Sequence, residues 1–315
     1  MKLKKLLAVL MCTLMVTASF AACGNNQEAA APPAQDKPVA EQTNVVEEAA
    51  LAYFANFPAD RHVISPADFL AKIDAGEGMF ILDIRSADDY AKGHIKGAVN
   101  MPFGNESIAK DIELIPDDAP VYVYCYTGQT AAQTVAVLNV AGKPAYSVQS
   151  GFVRGISLEP GYEKYISTDA VALPTETYAV NSEIKAAVEK YFATVASYAG
   201  TSTEAQNIKV DAVKEIVDSE SDDYVILSVR KAEDYAKGHV KGAINIPFGA
   251  GMQEELVKLP KDKKIIVYCY TGQTASQTTA ILRLLGYEAY NMQFGMGSVE
   301  TQSGWLGAGY ETVTE

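Results

Sequence analysis

The chain has 315 residues, of which 48% are hydrophobic and 21% are charged, and its formal net charge is −13. This length suffices for about two domains, and the hydrophobic content is that of a globular protein. A chain this acidic disfavours nucleic acid as a partner and does not attract anions over long range. An anionic substrate would therefore have to be held by hydrogen-bond donors within its binding site. The three histidines show no metal-ligand spacing, and we expect neither a metal site nor a bound cofactor.

The first 22 residues have the pattern of a secretory signal. Lysines stand at the start, an apolar run follows to Val16, and small residues precede Cys23. Residues 19–23, Ser-Phe-Ala-Ala-Cys, resemble a bacterial lipoprotein box, which implies that Cys23 carries a lipid and anchors the protein to the cell membrane on its extracytoplasmic side. The alternative is an ordinary secretory signal cleaved nearby. Residues 23–46 are rich in Ala, Pro, Gln and Glu without periodicity, which predicts a flexible stalk.

Residues 47–165 are predicted to form a first domain with a leading helix. Ser65 and Pro66 are typical of a helix N-terminus, and residues 79–85 are a continuous apolar run, as in a parallel strand buried on both faces. In chain order, the other predicted elements are a helix over 47–57, a short helix, turn and strand over 88–103, a strand over 121–123, a helix ending at Gly142, and a strand over 145–148. This alternation predicts an α/β fold with a small, mostly parallel sheet flanked by helices.

The second half of the chain repeats the first. Residues 166–205 are predicted to be a linker with an amphipathic helix from about 176 to 199, and residues 206–315 a second domain. Residues 225–230 correspond to 80–85, residues 233–248 to 88–103, and Cys269 to Cys125. Because the repeat is far longer than a solenoid unit, it indicates duplication of a whole domain.

Each half contains one copy of the stretch Tyr-Cys-Tyr-Thr-Gly-Gln-Thr-Ala, at residues 124–131 and 268–275. Each cysteine lies between a strand and a helix, where successive backbone N–H groups can surround its sulfur and favour the reactive thiolate. Gly128 permits a tight turn there, and Thr130 is expected to cap the helix. Because Cys125 and Cys269 have identical settings, we expect two reactive thiols; the alternative is a structural disulfide between them.

Both halves resemble rhodanese domains, a sulfurtransferase family built on a small parallel α/β sheet. The resemblance rests on the strand end Asp83-Ile84-Arg85, on the segment Tyr-x-x-Gly-His-Ile-x-Gly-Ala-x-Asn-x-Pro over residues 90–102, on the cysteine loop, and on the second copy of each. The predicted fold is therefore two tandem rhodanese-like domains.

The resemblance implies a reaction and a set of site residues. Cys125 and Cys269 would take a sulfane sulfur from a small donor, become persulfides, and pass the sulfur to a thiol acceptor or cyanide. The residues predicted to bind the substrate are Tyr126, Thr127, Gly128, Gln129, Thr130 and Ala131, their counterparts Tyr270, Thr271, Gly272, Gln273, Thr274 and Ala275, and the strand-end arginines Arg85 and Arg230.

The loop lacks the arginine or lysine that better-known family members often carry beside the cysteine. Tyr126, Thr127 and Gln129 are neutral, so thiosulfate, a polysulfide and an organic persulfide all remain candidate donors. The sixth residue after each cysteine is Ala131 or Ala275. Cysteine phosphatases and arsenate reductases hold their oxyanion with an arginine after a longer loop, so their chemistry is not expected here.

Several interpretations stay open. Asp83 and Arg85 either take part in catalysis or support neighbouring loops, and Ser228 replaces Asp83 in the second half, so the two domains need not be equally active. His94 and His239 lie in glycine-rich turns and are expected to be structural rather than catalytic bases. The alternative to an enzyme is a non-catalytic module that senses, stores or delivers sulfur or redox state to a protein partner, which the sequence does not identify.

Overall fold

The computed structural model describes residues 44–314. Its helices are α1 (Val45–Ala55), α2 (Pro66–Asp74), α3 (Ala87–Lys92), α4 (Ser107–Lys110), α5 (Gln129–Val140), α6 (Gly151–Arg154), α7 (Ser182–Ser197), α8 (Val210–Asp218), α9 (Ala232–Lys237), α10 (Gln253–Leu256), α11 (Gln273–Leu284) and α12 (Gly304–Gly307). Its strands are β1 (Val63–Ile64), β2 (Phe80–Asp83), β3 (His94–Ile95), β4 (Val99–Asn100), β5 (Val121–Tyr124), β6 (Ala145–Val148), β7 (Ile166–Ser167), β8 (Asn207–Ile208), β9 (Tyr224–Ser228), β10 (Ile244–Asn245), β11 (Lys264–Tyr268) and β12 (Ala289–Met292).

Two five-stranded sheets form the frame of the molecule. The first has the strand order β1-β6-β5-β2-β4, and the second has the equivalent order β8-β12-β11-β9-β10. All strand pairs within these two sheets are parallel. Both the α/β fold class and the duplication predicted from the sequence are confirmed. The strand that leads into each cysteine, β5 or β11, lies in the centre of its sheet, where it is hydrogen-bonded along both edges.

Helices α5 and α11 pack against each other and join the two domains. Ten of the twelve residues of α5 and nine of the twelve of α11 are buried, because each helix is covered by its own sheet and by the other helix. Apolar side chains of both domains accordingly form one continuous cluster. The loops that precede these two helices, which carry the cysteines, therefore start at a shared interface.

The helix that precedes each domain contacts the other domain. In α1, which precedes the first domain, Tyr53 Oη donates a hydrogen bond to Gln277 Oε1 of α11 at 2.8 Å. In α7, which precedes the second domain, Tyr191 Oη donates to Gln133 Oε1 of α5 at 2.9 Å. The two leading helices are thus exchanged between the domains, an arrangement that the sequence pattern did not reveal.

The helix predicted from about 176 to 199 is shorter in the structure, where α7 begins at Ser182. Its start is fixed by Asn181, whose side-chain oxygen accepts hydrogen bonds from the backbone N–H groups of Glu183 and Ile184 at 2.9 and 3.3 Å. Before this cap, Tyr178 N donates to the carbonyl of Glu113 at 2.7 Å, which ties the non-helical segment to the first domain. Tertiary contact here overrides the helical periodicity.

A small antiparallel pair of β3 and β7 was not predicted, because two residues per strand are too few to show an alternating pattern. Within residues 44–314, no helix has the length and hydrophobicity that crossing a bilayer requires. The predicted signal at residues 1–22, the lipid site at Cys23 and nearly all of the predicted stalk lie outside the described residues.

Candidate active site

Cys125 lies directly after β5, at the point where the central strand of the first sheet ends. Its thiol is free and only 2% exposed. Its Sγ atom accepts hydrogen bonds from the backbone N–H groups of Gly128 at 3.1 Å and Ala131 at 3.4 Å. Gly128 has φ +87°, a left-handed conformation that favours glycine and lets the chain turn from the loop into α5. Of the backbone N–H groups over residues 126–131 that were predicted to surround the sulfur, these two therefore reach it.

Cys269 has the equivalent position after β11 and is likewise a free, buried thiol. Gly272 has φ +86°, and its N–H donates to Cys269 Sγ at 3.1 Å. In the described residues Ala275 N makes no bond to this sulfur, in contrast to its counterpart in the first domain. Because both thiols are free, the predicted alternative of a disulfide between them does not hold in this structure.

A turn that follows the last strand of each sheet lies beneath each cysteine loop. In the first domain, Phe152 N and Val153 N donate to the carbonyls of Cys125 and Tyr126 at 2.7 and 2.9 Å. Gly151 has φ +64°, and a Cβ atom added there would lie 2.6 Å from the Cys125 carbonyl oxygen. The equivalent bonds of the second domain, from Met296 N and Gly297 N to Cys269 O and Tyr270 O, both measure 2.8 Å. The backbone on either side of each nucleophile is thus held by a close-fitting turn.

Tyr126 and Tyr270 lie at the rim of their loops. Tyr126 Oη donates to Asp89 Oδ2 at 2.6 Å, and Tyr270 Oη donates to Asp234 Oδ2 at 2.6 Å. The bond from Lys92 and then the bond from Tyr126 hold the pKa of Asp89 well below its usual range. The two tyrosine rings are 38% and 40% exposed, so each presents a face at the mouth of the site while its hydroxyl ties the loop to a neighbouring helix.

Thr130 does not cap α5, and that prediction is wrong. The helix begins at Gln129, so the N-cap position falls on Gly128, which offers no side-chain hydrogen bond. The left-handed backbone of that glycine, required by the turn around the sulfur, sets the start of the helix two residues earlier than expected. Thr130 therefore lies in the first helical turn, where it lines the cavity described below.

Arg85 lies behind the first cysteine loop in a buried ion pair. Its Nη2 atom is 2.6 Å from Asp83 Oδ2 and also donates to the carbonyl of Gly93 at 2.8 Å. Its guanidinium carbon lies 4.1 Å from the ring centre of Phe152, in the turn beneath the loop. These contacts favour the support role for the pair of Asp83 and Arg85 over the catalytic one.

Arg230 has a different set of partners in the second domain. Ser228 supplies no carboxylate, and the guanidinium donates to the carbonyls of Gly238 and Asp234, both at 2.7 Å. Its Nε atom is buried without a hydrogen-bond partner. Substrate binding by Arg85 and Arg230 stays a prediction that these contacts do not favour.

The histidines of the glycine turns have the contacts of structural residues. His94 Nδ1 lies 2.9 Å from the carbonyl of Tyr90, and its ring stacks on that of Tyr90 at 3.6 Å between centres. His239 has the equivalent pairing with Tyr235, at 3.0 and 3.8 Å. Across residues 44–314, no group of three or more His, Cys, Asp or Glu side chains is arranged to hold a metal ion.

Gln129 and Gln273 leave their own loops and enter the opposite domain. Gln273 Oε1 accepts a hydrogen bond from Ser150 N at 2.8 Å, and Gln129 Oε1 accepts from Phe294 N at 3.0 Å. Both glutamines are almost fully buried, at 3% and 6% exposure. The sequence motif placed these residues in the loops correctly but gave no signal of their partners, which depend on how the two domains pack.

A cavity of about 590 Å³ adjoins the first cysteine loop. The first domain contributes Tyr126, Thr130 and Phe103 to its wall, and the second contributes polar residues that include Glu204 and Lys209. Lys209 is the one basic side chain among the described residues that line it. The sequence analysis missed this lysine because it lies in the entry segment of the other domain, about eighty residues from the loop that it faces.

Comparison with known proteins bears on the identity of this site. The family model named Rhodanese-like domain matches residues 65–167 and residues 209–301, which together make up more than half of the chain. The chain belongs to the rhodanese-like family. Its two matched segments contain both cysteine loops, and the family is one of sulfurtransferases and sulfur carriers.

Similar proteins include both kinds of rhodanese-like protein. The chain is 36% identical over 120 residues to thiosulfate sulfurtransferase GlpE of Pseudomonas entomophila, which covers 38% of this chain and 94% of that one. It is 28% identical over 98 residues to the putative sulfur carrier protein YrkF of Bacillus subtilis, which covers 31% of this chain and 47% of that one. Among solved structures, a thiosulfate sulfurtransferase from Pseudomonas aeruginosa is 21% identical with a TM-score of 0.30, covering 78% of this chain and 46% of that one.

Proposed function

We propose that this rhodanese-like protein is a sulfurtransferase that works through persulfides on Cys125 and Cys269. The thiolate attacks the sulfane sulfur of the donor, the S–S bond of the donor breaks, and its electron pair leaves with the rest of the donor. The cysteine is then a persulfide anion. An acceptor thiolate or cyanide attacks the outer sulfur, the cysteine's S–S bond breaks, and the cysteine thiolate is restored.

The observation that carries this proposal is the pair of N–H groups that point at Cys125 Sγ. Gly128 N and Ala131 N lie at 3.1 and 3.4 Å from the sulfur. Preorganised donors of this kind stabilise negative charge on a thiolate, on the transferring sulfur and on the persulfide without further reorganisation. The likeness to proteins named thiosulfate sulfurtransferase supports the same reaction class.

The donor is proposed to be thiosulfate, a polysulfide or an organic persulfide, and the acceptor a thiol or cyanide. The loop side chains Tyr126, Thr127 and Gln129 carry no charge, which favours no one of these donors. Lys209 is the cation available to an anionic donor in the cavity beside the loop. The cavity is also large enough for a donor or acceptor with an organic substituent.

The location is proposed to be the extracytoplasmic side of the cell membrane, with a lipid on Cys23. Support for this comes from the signal-like pattern of residues 1–22 and the small residues before Cys23. With Cys23→Ala, incorporation of a labelled fatty acid should be lost and the protein should leave the membrane fraction. Retention of label in that variant would refute the anchor while leaving the sulfur chemistry untouched.

The alternative function is a non-catalytic sulfur carrier or sensor that acts on a protein partner. Two observations favour it: the cysteines are only 2% and 1% exposed, and one similar protein is named a putative sulfur carrier. A carrier would accept sulfur but turn over small acceptors slowly.

The test is to expose the protein to each donor and weigh the intact chain. A gain of one sulfur atom, about 32 Da, is expected on each of Cys125→Ser and Cys269→Ser, two sulfur atoms on the wild type, and none on the double variant. Steady-state transfer to cyanide and to thiols then separates an enzyme from a carrier. Absence of any sulfur adduct with all three donors would refute both.

A further inference from the structure

The two cysteine loops meet at the pseudo-twofold contact between α5 and α11. Gln129 and Gln273 are the first residues of these helices, and each crosses to the other domain. Gln129 Oε1 accepts from the backbone N–H of Phe294 and from Asn291 Nδ2, both at 3.0 Å, while Gln273 Oε1 accepts from Ser150 N at 2.8 Å. A backbone N–H can only donate, so it must face the oxygen of each carboxamide, which fixes the orientation of both side chains.

The backbone groups that these glutamines hold belong to the turns beneath the opposite cysteine loops. Ser150 and Phe294 both have φ +61°, a conformation that is costly for residues other than glycine and needs support from its surroundings. Two residues further along the chain, Phe152 N donates to the carbonyl of Cys125, and Met296 N donates to the carbonyl of Cys269. Each glutamine therefore stabilises a strained residue on which the other domain's loop rests.

The same carboxamides also lie directly against the glycines of the opposite loops. A Cβ atom added to Gly128 would lie 2.7 Å from Gln273 Oε1, and one added to Gly272 would lie 2.5 Å from Gln129 Oε1. These two glycines donate the N–H groups that reach the cysteine sulfurs at 3.1 Å. Each loop glycine thus lies between the cysteine of its own domain and the glutamine of the opposite domain.

We propose that Gln129 and Gln273 are positioning residues that act across the domain boundary, so that Gln273 orients the loop of Cys125 and Gln129 orients the loop of Cys269. The proposal deepens the proposed function and rests on it in one respect, that the cysteine sulfur is the reacting atom. Neither glutamine is required to touch a substrate. Without its glutamine, a loop keeps its sequence but its glycine N–H is no longer held in line with the sulfur, and the thiolate loses stabilisation.

The test measures one cysteine at a time while changing either glutamine. In a Cys269→Ser background, Gln273→Met keeps the volume of the side chain and removes the acceptor. We expect alkylation of Cys125 by iodoacetamide at neutral pH to slow by about threefold to tenfold, the size expected for one hydrogen bond, with the midpoint of the pH–rate profile moved to higher pH. Gln129→Met, in the loop of Cys125 itself, should change this rate by less than about twofold. In a Cys125→Ser background, Gln129→Met should slow alkylation of Cys269, and Gln273→Met should change that rate little.

Gln277→Met provides the matched control. Gln277 lies one turn further along α11, and its Nε2 atom donates to the carbonyl of Arg61 at 3.2 Å, so it bridges the same domains without contacting a cysteine loop. Gln277→Met should leave the pH–rate profile of Cys125 alkylation unchanged. If each glutamine variant chiefly slows alkylation of the cysteine in its own loop, the effect is local and the proposal is wrong. If Gln277→Met slows alkylation of Cys125 as much as Gln273→Met does, the variants merely loosen the interface, and the proposal is again wrong.

A second readout keeps the test decisive if a methionine variant folds poorly. In the full chain, we expect slow hydrogen exchange of the Ser150 amide in the wild type, because it is bonded to Gln273, and equally slow exchange with Gln273→Glu, which keeps an acceptor oxygen. Fast exchange at Ser150 with this variant would refute the contact. Alkylation and exchange need no sulfur donor, so failure of the sulfurtransferase proposal would be recognised separately, by the missing sulfur adduct.

Discussion

At the first cysteine a buried carboxylate, Asp83, supports the arginine behind the loop, whereas at the second the equivalent Arg230 bonds two backbone carbonyls and leaves its Nε unpartnered. Two amides reach the sulfur of Cys125 and one reaches that of Cys269. The loop sequences are the same in both copies. The two copies thus share the residues next to the sulfur and differ in the supports around them, so the two sites should differ in the stability of the thiolate rather than in the reaction they carry out.

The space beside each loop differs as well. Phe103 lines the cavity next to the first loop, but its counterpart Phe248 packs edge-on against Phe57 at 4.9 Å between ring centres. Phe57 follows the end of α1, and the equivalent residue, in α7, is the smaller Val195. Both leading helices bring an aromatic ring to the opposite domain, Phe54 against Phe248 at 5.6 Å and Phe192 against Phe103 at 5.8 Å. Phe57 adds a further ring in the second domain only, and the cavity beside the first loop favours Cys125 as the site for larger substrates.

The largest expected difference is in turnover by single-cysteine proteins. Cys125→Ser should lower sulfur transfer from an organic persulfide by about a hundredfold or more, because the better-supported nucleophile is lost. Cys269→Ser should lower it by no more than about threefold. Initial rates with one donor and one acceptor test this. Equal losses in the two variants would show that the structural differences do not matter for catalysis.

The next effect is on stability. Asp83→Ser gives the first domain the residue of the second and leaves the buried Arg85 without its carboxylate, which should lower the free energy of unfolding by about 3 kcal/mol. The reverse change, Ser228→Asp, offers Arg230 Nε a partner and should raise it by no more than about 1 kcal/mol. Chemical denaturation measures both. If Asp83→Ser leaves the free energy of unfolding unchanged, Arg85 finds other partners as readily as Arg230 does.

A smaller effect is expected on the choice of donor. Lys209→Ser removes the cation of the cavity and should raise KM for thiosulfate at Cys125 by about threefold at low salt, with kcat unchanged and the difference reduced by added salt. Ser65 is the counterpart of Lys209 in the first domain, where its hydroxyl caps α2. If Lys209→Ser leaves the KM for thiosulfate unchanged, the cavity does not bind the donor through this lysine.

The smallest effect concerns pH. The pKa of Asp89 is lowered by Lys92 and by Tyr126, so the stability contributed by these bonds is fully present above the ordinary value of 3.8 and is lost as pH falls through the lower folded value. Tyr126→Phe should therefore lower the melting temperature by a constant small amount from pH 5 to 8, and the difference should shrink below about pH 4. Tyr270→Phe should behave in the same way at Asp234, whose pKa is lowered by Tyr270 and Lys237. A difference that grows on acidification would contradict this pairing.

The sequence predicted the parts of the structure that local patterns determine. The buried strands, the glycine turn and the two cysteine loops follow from short motifs, and the structure has them at those positions. The capping role of Thr130 was wrong because the start of α5 depends on the left-handed backbone of Gly128, which a propensity argument does not resolve.

What the sequence did not show depends on contacts between distant segments. The partner of Gln129 is 165 residues away, at Phe294. The cavity beside Cys125 is completed by Lys209 from the other domain. No pattern within one window of residues contains this information, because it arises from the packing of α5 on α11.

The exchanged leading helices also have a consequence for folding during synthesis. Tyr53 of α1 bonds Gln277, which lies 224 residues later in the chain, so the contact of α1 with α11 forms only when almost the whole polypeptide has been made. The first half would meanwhile expose the apolar side chains of α1 and α5 that pack on α11. Long-range closure of this kind is slow and prone to aggregation. Such a chain favours delayed folding, as a single cooperative unit, over stepwise folding of one domain and then the next.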